Sequence, residues 1–275
     1  MKTKDLRKLA ANPILISGVY NYCDRWCERC PLSQRCLNYA MERAENDGNP
    51  AARDLSNKNF WDKLHQTFRD TLEMIREDAL ARGVDLNDPK LNAEVKADER
   101  AERRRAARNL PLARAALAYA NAVDKWLDEA RPLLEAKIAE LKTQAALEIG
   151  DPRADAQQLS DLMDIIQWYQ HFIYVKLRRA IESRASEELE SDEDMRKFPK
   201  DSDGSAKTAM IGMDRSIEAW SGLRAALGVD EGDRILDLLT RLAAIRRAAE
   251  QLFPKARAFV RPGFDEEQDR RRAGL

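Results

Sequence analysis

Cysteine supplies the clearest chemical signal in this sequence. The chain has four cysteines, and all lie in residues 23–36, where Cys23, Cys27, Cys30 and Cys36 follow the pattern C-x3-C-x2-C-P-x4-C. Four thiolates in one segment match the ligand set of a tetrahedral zinc ion or an iron–sulfur cluster. Cysteines that only fill a core would instead be scattered among the elements. The pattern therefore predicts a metal site with all four cysteines as ligands.

Disulfides or free reactive thiols are the alternatives to metal binding. Disulfides suit exported chains, but the N-terminal sequence has only a short apolar run at residues 14–16 and no cleavage-site pattern of a secretory signal. We therefore expect a cytoplasmic protein, in which thiols stay reduced. Arg25, Arg29 and Arg35, together with a helix predicted to begin at Pro31, are expected to lower the pKa of the thiols.

The identity of the metal is less constrained than its ligands. Zinc ribbons usually bring two C-x2-C pairs from separate hairpins, whereas this segment is one compact run that contains a proline. The run favours an iron–sulfur cluster as the cofactor, with zinc as the alternative. Its first three cysteines also resemble, over eight residues, the cluster motif of radical S-adenosylmethionine enzymes. That resemblance implies a βα barrel with an open iron position, whereas this chain has no strand pattern and Cys36 can fill the position.

A second candidate metal site consists of carboxylates and histidines on three predicted helices. Asp62-x2-His65 is similar to the Glu-x2-His motif with which di-iron carboxylate proteins bind metal inside helical bundles. The chain has only two histidines, and the second, His171, shares a helix face with a carboxylate. The alternative interpretation is that both histidines lie at the core edge and bond to carboxylates of neighbouring helices. The candidate ligands are Asp62, His65, Asp164, His171, Asp214 and Glu218.

Helical periodicity runs through most of the chain. Apolar residues recur at steps of three and four, and there is no alternating strand pattern and no internal repeat. The predicted fold class is all-α, a multi-helix bundle with an N-terminal four-cysteine segment. We predict a metal-binding segment at 1–48, a helical bundle at 49–255 and a polar tail at 256–275. One long helix is predicted to begin at 111, with a kink or break at Pro132. The other predicted helices span 31–46, 56–83, 155–185, 206–227 and 231–252.

The charge balance limits the classes of partner. The chain has 47 Lys and Arg against 48 Asp and Glu, a net charge of −1, so it has no overall attraction for nucleic acid or an anionic membrane. No apolar stretch is long enough to span a bilayer. One hypothesis is an iron–sulfur protein for electron transfer or redox sensing, with a redox partner protein, and an oxidoreductase if it is an enzyme. The alternative is a non-enzymatic zinc-knuckle scaffold that binds a protein or nucleic acid through residues 89–109.

Overall fold

Every regular element that the structure describes is a helix, which confirms the all-α prediction. The computed structural model describes residues 8–46, 56–88, 105–107, 110–188, 199–228 and 232–265. In this part of the chain, no helix has both the length and the apolar character required to cross a membrane. The α-helices are α1 (Leu37–Asn46), α2 (Lys58–Ala81), α3 (Pro111–Glu129), α4 (Arg131–Ala146), α5 (Pro152–Glu187), α6 (Asp201–Leu227) and α7 (Gly232–Leu252).

The described residues form two compact units. One comprises those of 1–99 together with those of 260–275, and it contains α1 and α2. The other comprises those of 100–259 and contains α3 to α7. Most of the charged segment 89–109, which was predicted to be an exposed helix or a connector, lies outside the described residues.

Helix α2 lies within the predicted range 56–83, and a side chain caps its first turn. The Asn57 side chain accepts a hydrogen bond from the backbone N–H of Asn59 (3.0 Å), which satisfies a helix donor that has no partner within the helix. The apolar stripe predicted for this helix is present, but its large members are mostly exposed: Trp61 is 46% and Phe68 is 59% accessible. Among the residues of α2, only Ala79 is buried.

Helix α5 is the central helix of the second unit, since it contacts α3, α4 and α6. The Asp151 side chain caps it by accepting a hydrogen bond from the Ala154 N–H (3.1 Å). Its buried face carries Ile166, Tyr169 and Ile173, none of which retains exposed surface. These side chains pack mainly against α6, and α3 and α4 also contact α5. Burial of large apolar side chains on this face is the main stabilising contribution in the unit.

Helices α5 and α6 approach closely because small residues of α6 lie at their contact. A Cβ atom added to Gly212 would lie 3.0 Å from Tyr169 Cδ1 and 3.5 Å from Ile173 Cγ1. The Tyr169 ring cannot easily move, since it is fully buried and its hydroxyl accepts a hydrogen bond from Arg215. Gly212 therefore sets the distance between the two helices at this point.

The helix boundary at Pro132 agrees with the prediction, whereas the start of α6 differs from it. Pro132 divides the segment, since α3 ends at Glu129 and α4 begins at Arg131. Helix α6 begins at Asp201, earlier than the predicted residue 206. The reason is a cap from a neighbouring helix, because the Glu187 carboxylate accepts hydrogen bonds from the Ser202 N–H (2.9 Å) and hydroxyl (2.6 Å).

Replacing Gly212 with alanine should destabilise the second unit. Overpacking against Tyr169 costs about 1–3 kcal/mol, and the better helix propensity of alanine returns about 1 kcal/mol. We therefore expect a net loss of up to about 2 kcal/mol in the free energy of unfolding, measured by urea denaturation.

The matched control for that measurement is Gly222→Ala on the same helix. Its added Cβ would lie 3.0 Å from Leu162 Cδ2, the end of a flexible and only partly buried side chain. Because Leu162 can shift, this variant should be neutral or slightly stabilised. Equal losses in the two variants would contradict the role assigned to Tyr169.

Candidate metal centre

The cysteine segment consists of two short turns followed by a helix. The first 3-10 turn is Cys27–Arg29 and the second is Ser33–Arg35, and each is followed by a cysteine in extended backbone conformation, Cys30 and Cys36. The prediction that one helix begins at Pro31 is therefore wrong, since α1 begins only at Leu37. The extended backbone at Cys36 interrupts any helix that Pro31 could have started.

A tight turn separates the first two cysteines. The carboxylate of Asp24 accepts a hydrogen bond from the Trp26 N–H (3.1 Å), and Arg25 between them adopts a left-handed conformation with φ 62°. Such a conformation is uncommon for a residue that carries a Cβ, and it reverses the chain direction. This turn brings Cys27 back to the same side as Cys23.

All four cysteines line one small cavity. Its volume is about 20 Å³, and its walls also include the side chains of Trp26, Leu32, Tyr39 and Phe264. The four thiols are partly buried and are not joined by disulfides. Among the described residues, however, no three His, Cys, Asp or Glu side chains form a group that could hold a metal ion. The structure thus brings the four predicted ligands to a common cavity without arranging them as a metal site.

The pKa values of two of the thiols are raised. Burial is the largest cause of the rise for Cys27, and the negative charges of Cys23 and Cys36 add to it, so the pKa of Cys27 increases from 9.0 to about 11. Burial also raises the pKa of Cys30, and the charge of Asp24 adds to this, although a backbone hydrogen bond from Leu32 opposes it. The expectation of lowered thiol pKa values is therefore wrong for Cys27 and Cys30.

Two of the arginines expected to lower the thiol pKa values interact with other groups. The Arg29 guanidinium lies over the Trp26 ring, 4.2 Å from its centroid. The Arg35 Nε donates a hydrogen bond to the Ile14 carbonyl (3.3 Å). Burial and the repulsion between neighbouring thiolates therefore dominate the electrostatics of the cavity. A bound cation would reverse this effect, because metal coordination favours the thiolate form.

Sequence reasoning missed Phe264, which comes from the predicted polar tail. Within that tail, residues 260–265 belong to the same compact unit as the cysteine segment, whereas 256–259 belong to the other unit. The only local signal was the sequence Pro262-Gly263-Phe264, a turn pair followed by an aromatic residue. Nothing in the sequence pattern connects it with cysteines more than two hundred residues earlier.

The candidates for a second metal site lie in both units. Asp62 and His65 are exposed on α2 in the first unit. In the second unit, Asp164 and Glu218 are exposed, and His171 Nε2 lies 3.3 Å from Asp124 Oδ2. His171 thus pairs with a carboxylate of the neighbouring helix α3, and its side chain is 53% exposed. The second metal site stays a prediction.

Asp214 interacts with two arginines. Arg246 Nη1 donates to its Oδ1 (3.0 Å), and Arg257 Nη1 donates to its Oδ2 (2.5 Å). Burial alone would raise the pKa of Asp214, but the hydrogen bonds from Arg257 and Arg246 outweigh it and hold the pKa below its usual range. These contacts link α6 to α7 and to the 3-10 turn Ala256–Ala258, which is a structural use of this carboxylate.

Comparison with known proteins adds no assignment. No protein-family model matches the chain, and neither does any curated protein or solved structure.

The raised pKa of Cys27 predicts slow alkylation of the metal-free protein. With a pKa of about 11, this thiol has roughly two orders of magnitude less thiolate at neutral pH than an unperturbed cysteine. The rate of its reaction with iodoacetamide should keep rising up to about pH 11. Mass spectrometry of the labelled peptide measures the rate, with the urea-unfolded chain as control. A rate that levels off near pH 8.5 in the folded protein would show that the cavity does not perturb Cys27.

Proposed function

We propose that Cys23, Cys27, Cys30 and Cys36 bind an iron–sulfur cluster that serves electron transfer or redox sensing. The observation that supports this proposal is the shared cavity, because all four cysteines of the chain line it. Thiolates are the usual ligands of such clusters. Burial and neighbouring thiolates raise the pKa of Cys27, and a bound cation would stabilise its thiolate form.

Ligation by four thiolates favours electron transfer over direct substrate chemistry. A cluster held at every iron by a protein ligand has no open position for a substrate. Trp26, Tyr39 and Phe264 would form an apolar shell around it, and such a shell limits solvent access and influences the reduction potential. The protein would then exchange electrons with a redox partner protein. If the chain is an enzyme, this places it among the oxidoreductases.

The second candidate is a structural zinc site, and the size of the cavity favours it. A volume of about 20 Å³ is close to the space that one water molecule requires, about 10–15 Å³. One ion fits such a space, whereas a cluster of several iron and sulfide ions requires the walls to move apart. The zinc ion would cross-link the two turns and α1, in a scaffold that binds a protein or nucleic-acid partner.

Elemental analysis and a visible spectrum separate the two candidates. Protein purified without oxygen should contain iron and sulfide and absorb in the visible region, with bleaching on reduction, if it carries a cluster. One equivalent of zinc in colourless protein would reject the cluster and support the structural site. Absence of both metals after reconstitution with iron and sulfide, and separately with zinc, would reject metal binding by this segment.

Substitution of one ligand tests the assignment of the site. Cys27→Ser should release most of the metal, because loss of one thiolate from a four-ligand site weakens binding greatly. Ser33→Ala is the matched control, since Ser33 lines the same cavity but carries no thiol. Metal content measured by mass spectrometry should fall in the first variant and stay unchanged in the second. Full metal content in Cys27→Ser would show that the metal is bound elsewhere.

A further inference from the structure

One wall of the cysteine cavity comes from a distant part of the chain. Among the described residues that line it, all belong to 19–39 except Phe264. Phe264 is itself half-buried and lies in a loop at residues 261–265, which we call the clasp. The cavity is therefore lined on one side by a segment that supplies none of the predicted ligands.

The clasp is a compact turn stabilised by one ion pair. Arg261 Nε and Nη2 each donate to the Asp265 carboxylate (both 3.1 Å), and the Arg261 backbone N–H donates to the same carboxylate (2.9 Å). The two side chains are only 15% and 10% exposed. The Arg261 guanidinium also lies 4.7 Å from the centroid of the Phe264 ring. These contacts fix the position of Phe264 within the turn.

Close contact at Gly263 holds the clasp against the cysteine segment. Gly263 is buried and has φ +75°, a conformation that residues with a Cβ rarely adopt. An added Cβ would lie 2.8 Å from Ile16 Cδ1 and 3.2 Å from Leu32 Cδ1. Leu32 is itself a wall of the cavity. The clasp thus packs directly on the residues that surround the thiols.

We propose that the clasp controls access to the cysteine site and that Phe264 is the positioning residue that closes it. This inference rests on the proposed function, because it concerns entry and loss of the metal at that site. The four ligands all lie in residues 23–36, so the clasp can open without breaking any metal–sulfur bond. Opening exposes the thiols to incoming metal, and closure excludes water, chelators and oxidants.

A metal-independent test uses alkylation of the metal-free protein. Removing the ring in Phe264→Ala reduces the apolar contact that favours the closed clasp, so local opening becomes more frequent. We expect the iodoacetamide reaction of Cys27 and Cys30 to become about tenfold faster at fixed pH. Val260→Ala is the control, since Val260 precedes the clasp and is 58% exposed. Its alkylation rates should match those of the wild type.

A second readout is the rate of metal loss to a chelator. The full-length protein loaded with its metal is mixed with excess EDTA, and release is followed by absorbance or by a metal-sensitive dye. Release should be about tenfold faster in Phe264→Ala than in the wild type. Phe264→Leu should restore most of the slow rate because it refills the wall with an apolar side chain. Asp265→Asn, which weakens the ion pair without changing the cavity lining, should give an intermediate rate.

The outcomes distinguish the clasp from the metal proposal. If Phe264→Ala loses helical circular dichroism, Asp265→Asn takes its place in both assays. If alkylation and metal release are both unchanged in Phe264→Ala, the proposed role of the clasp is overturned, while the proposed metal site is unaffected. If the wild type binds no metal, the metal proposal is overturned. Faster alkylation in Phe264→Ala would then still support control of thiol access by the clasp. Failure of Phe264→Leu to restore slow release would also count against Phe264 as the closing residue.

Discussion

Crowding of four thiols around a cavity of about 20 Å³ is the constraint on which the first unit depends. Burial raises the pKa values of Cys27 and Cys30, and the charges of neighbouring thiolates add to the rise, so both thiols favour the protonated form in the metal-free cavity. The local backbone serves this arrangement. Two short turns and the left-handed Arg25 direct all four cysteines toward one space, whereas a continuous helix would place Cys36 on the face opposite to the other three. The irregular backbone here is therefore a requirement of the site.

The second unit is organised by a different constraint, the close approach of α5 and α6. Small residues on α6, such as Gly212, allow large side chains of α5 to pack against its backbone. Trp220 Nε1 donates to Tyr119 Oη (2.9 Å), which satisfies a fully buried donor. The Trp126 ring packs edge-on against Trp220, with 4.9 Å between centroids. Ion pairs also connect helices of this unit, as between Arg246 of α7 and Asp214 of α6.

Sequence reasoning located the helices better than it located the contacts between them. Periodicity located α2 and α5, because an apolar stripe is a local signal, but α5 begins at Pro152 rather than 155 because Asp151 caps it. The start of α6 was missed because its cap, Glu187, comes from another helix. The thiol pKa values were missed for a related reason, since burial outweighs the arginines that are close only in sequence. Phe264 could not be found, as only folding brings it near the cysteines.

The origin of the clasp in the chain has a consequence for biosynthesis. The cysteine segment leaves the ribosome first, and Phe264 follows only after the whole of the second unit has been made. At about 5–20 residues per second, this leaves an interval of roughly 10–45 s in which the nascent thiols have no cover. During that interval the thiols are accessible to metal donors and to oxidants alike. Emergence and folding of the clasp then end the interval, so the order of translation determines how long the thiols stay accessible.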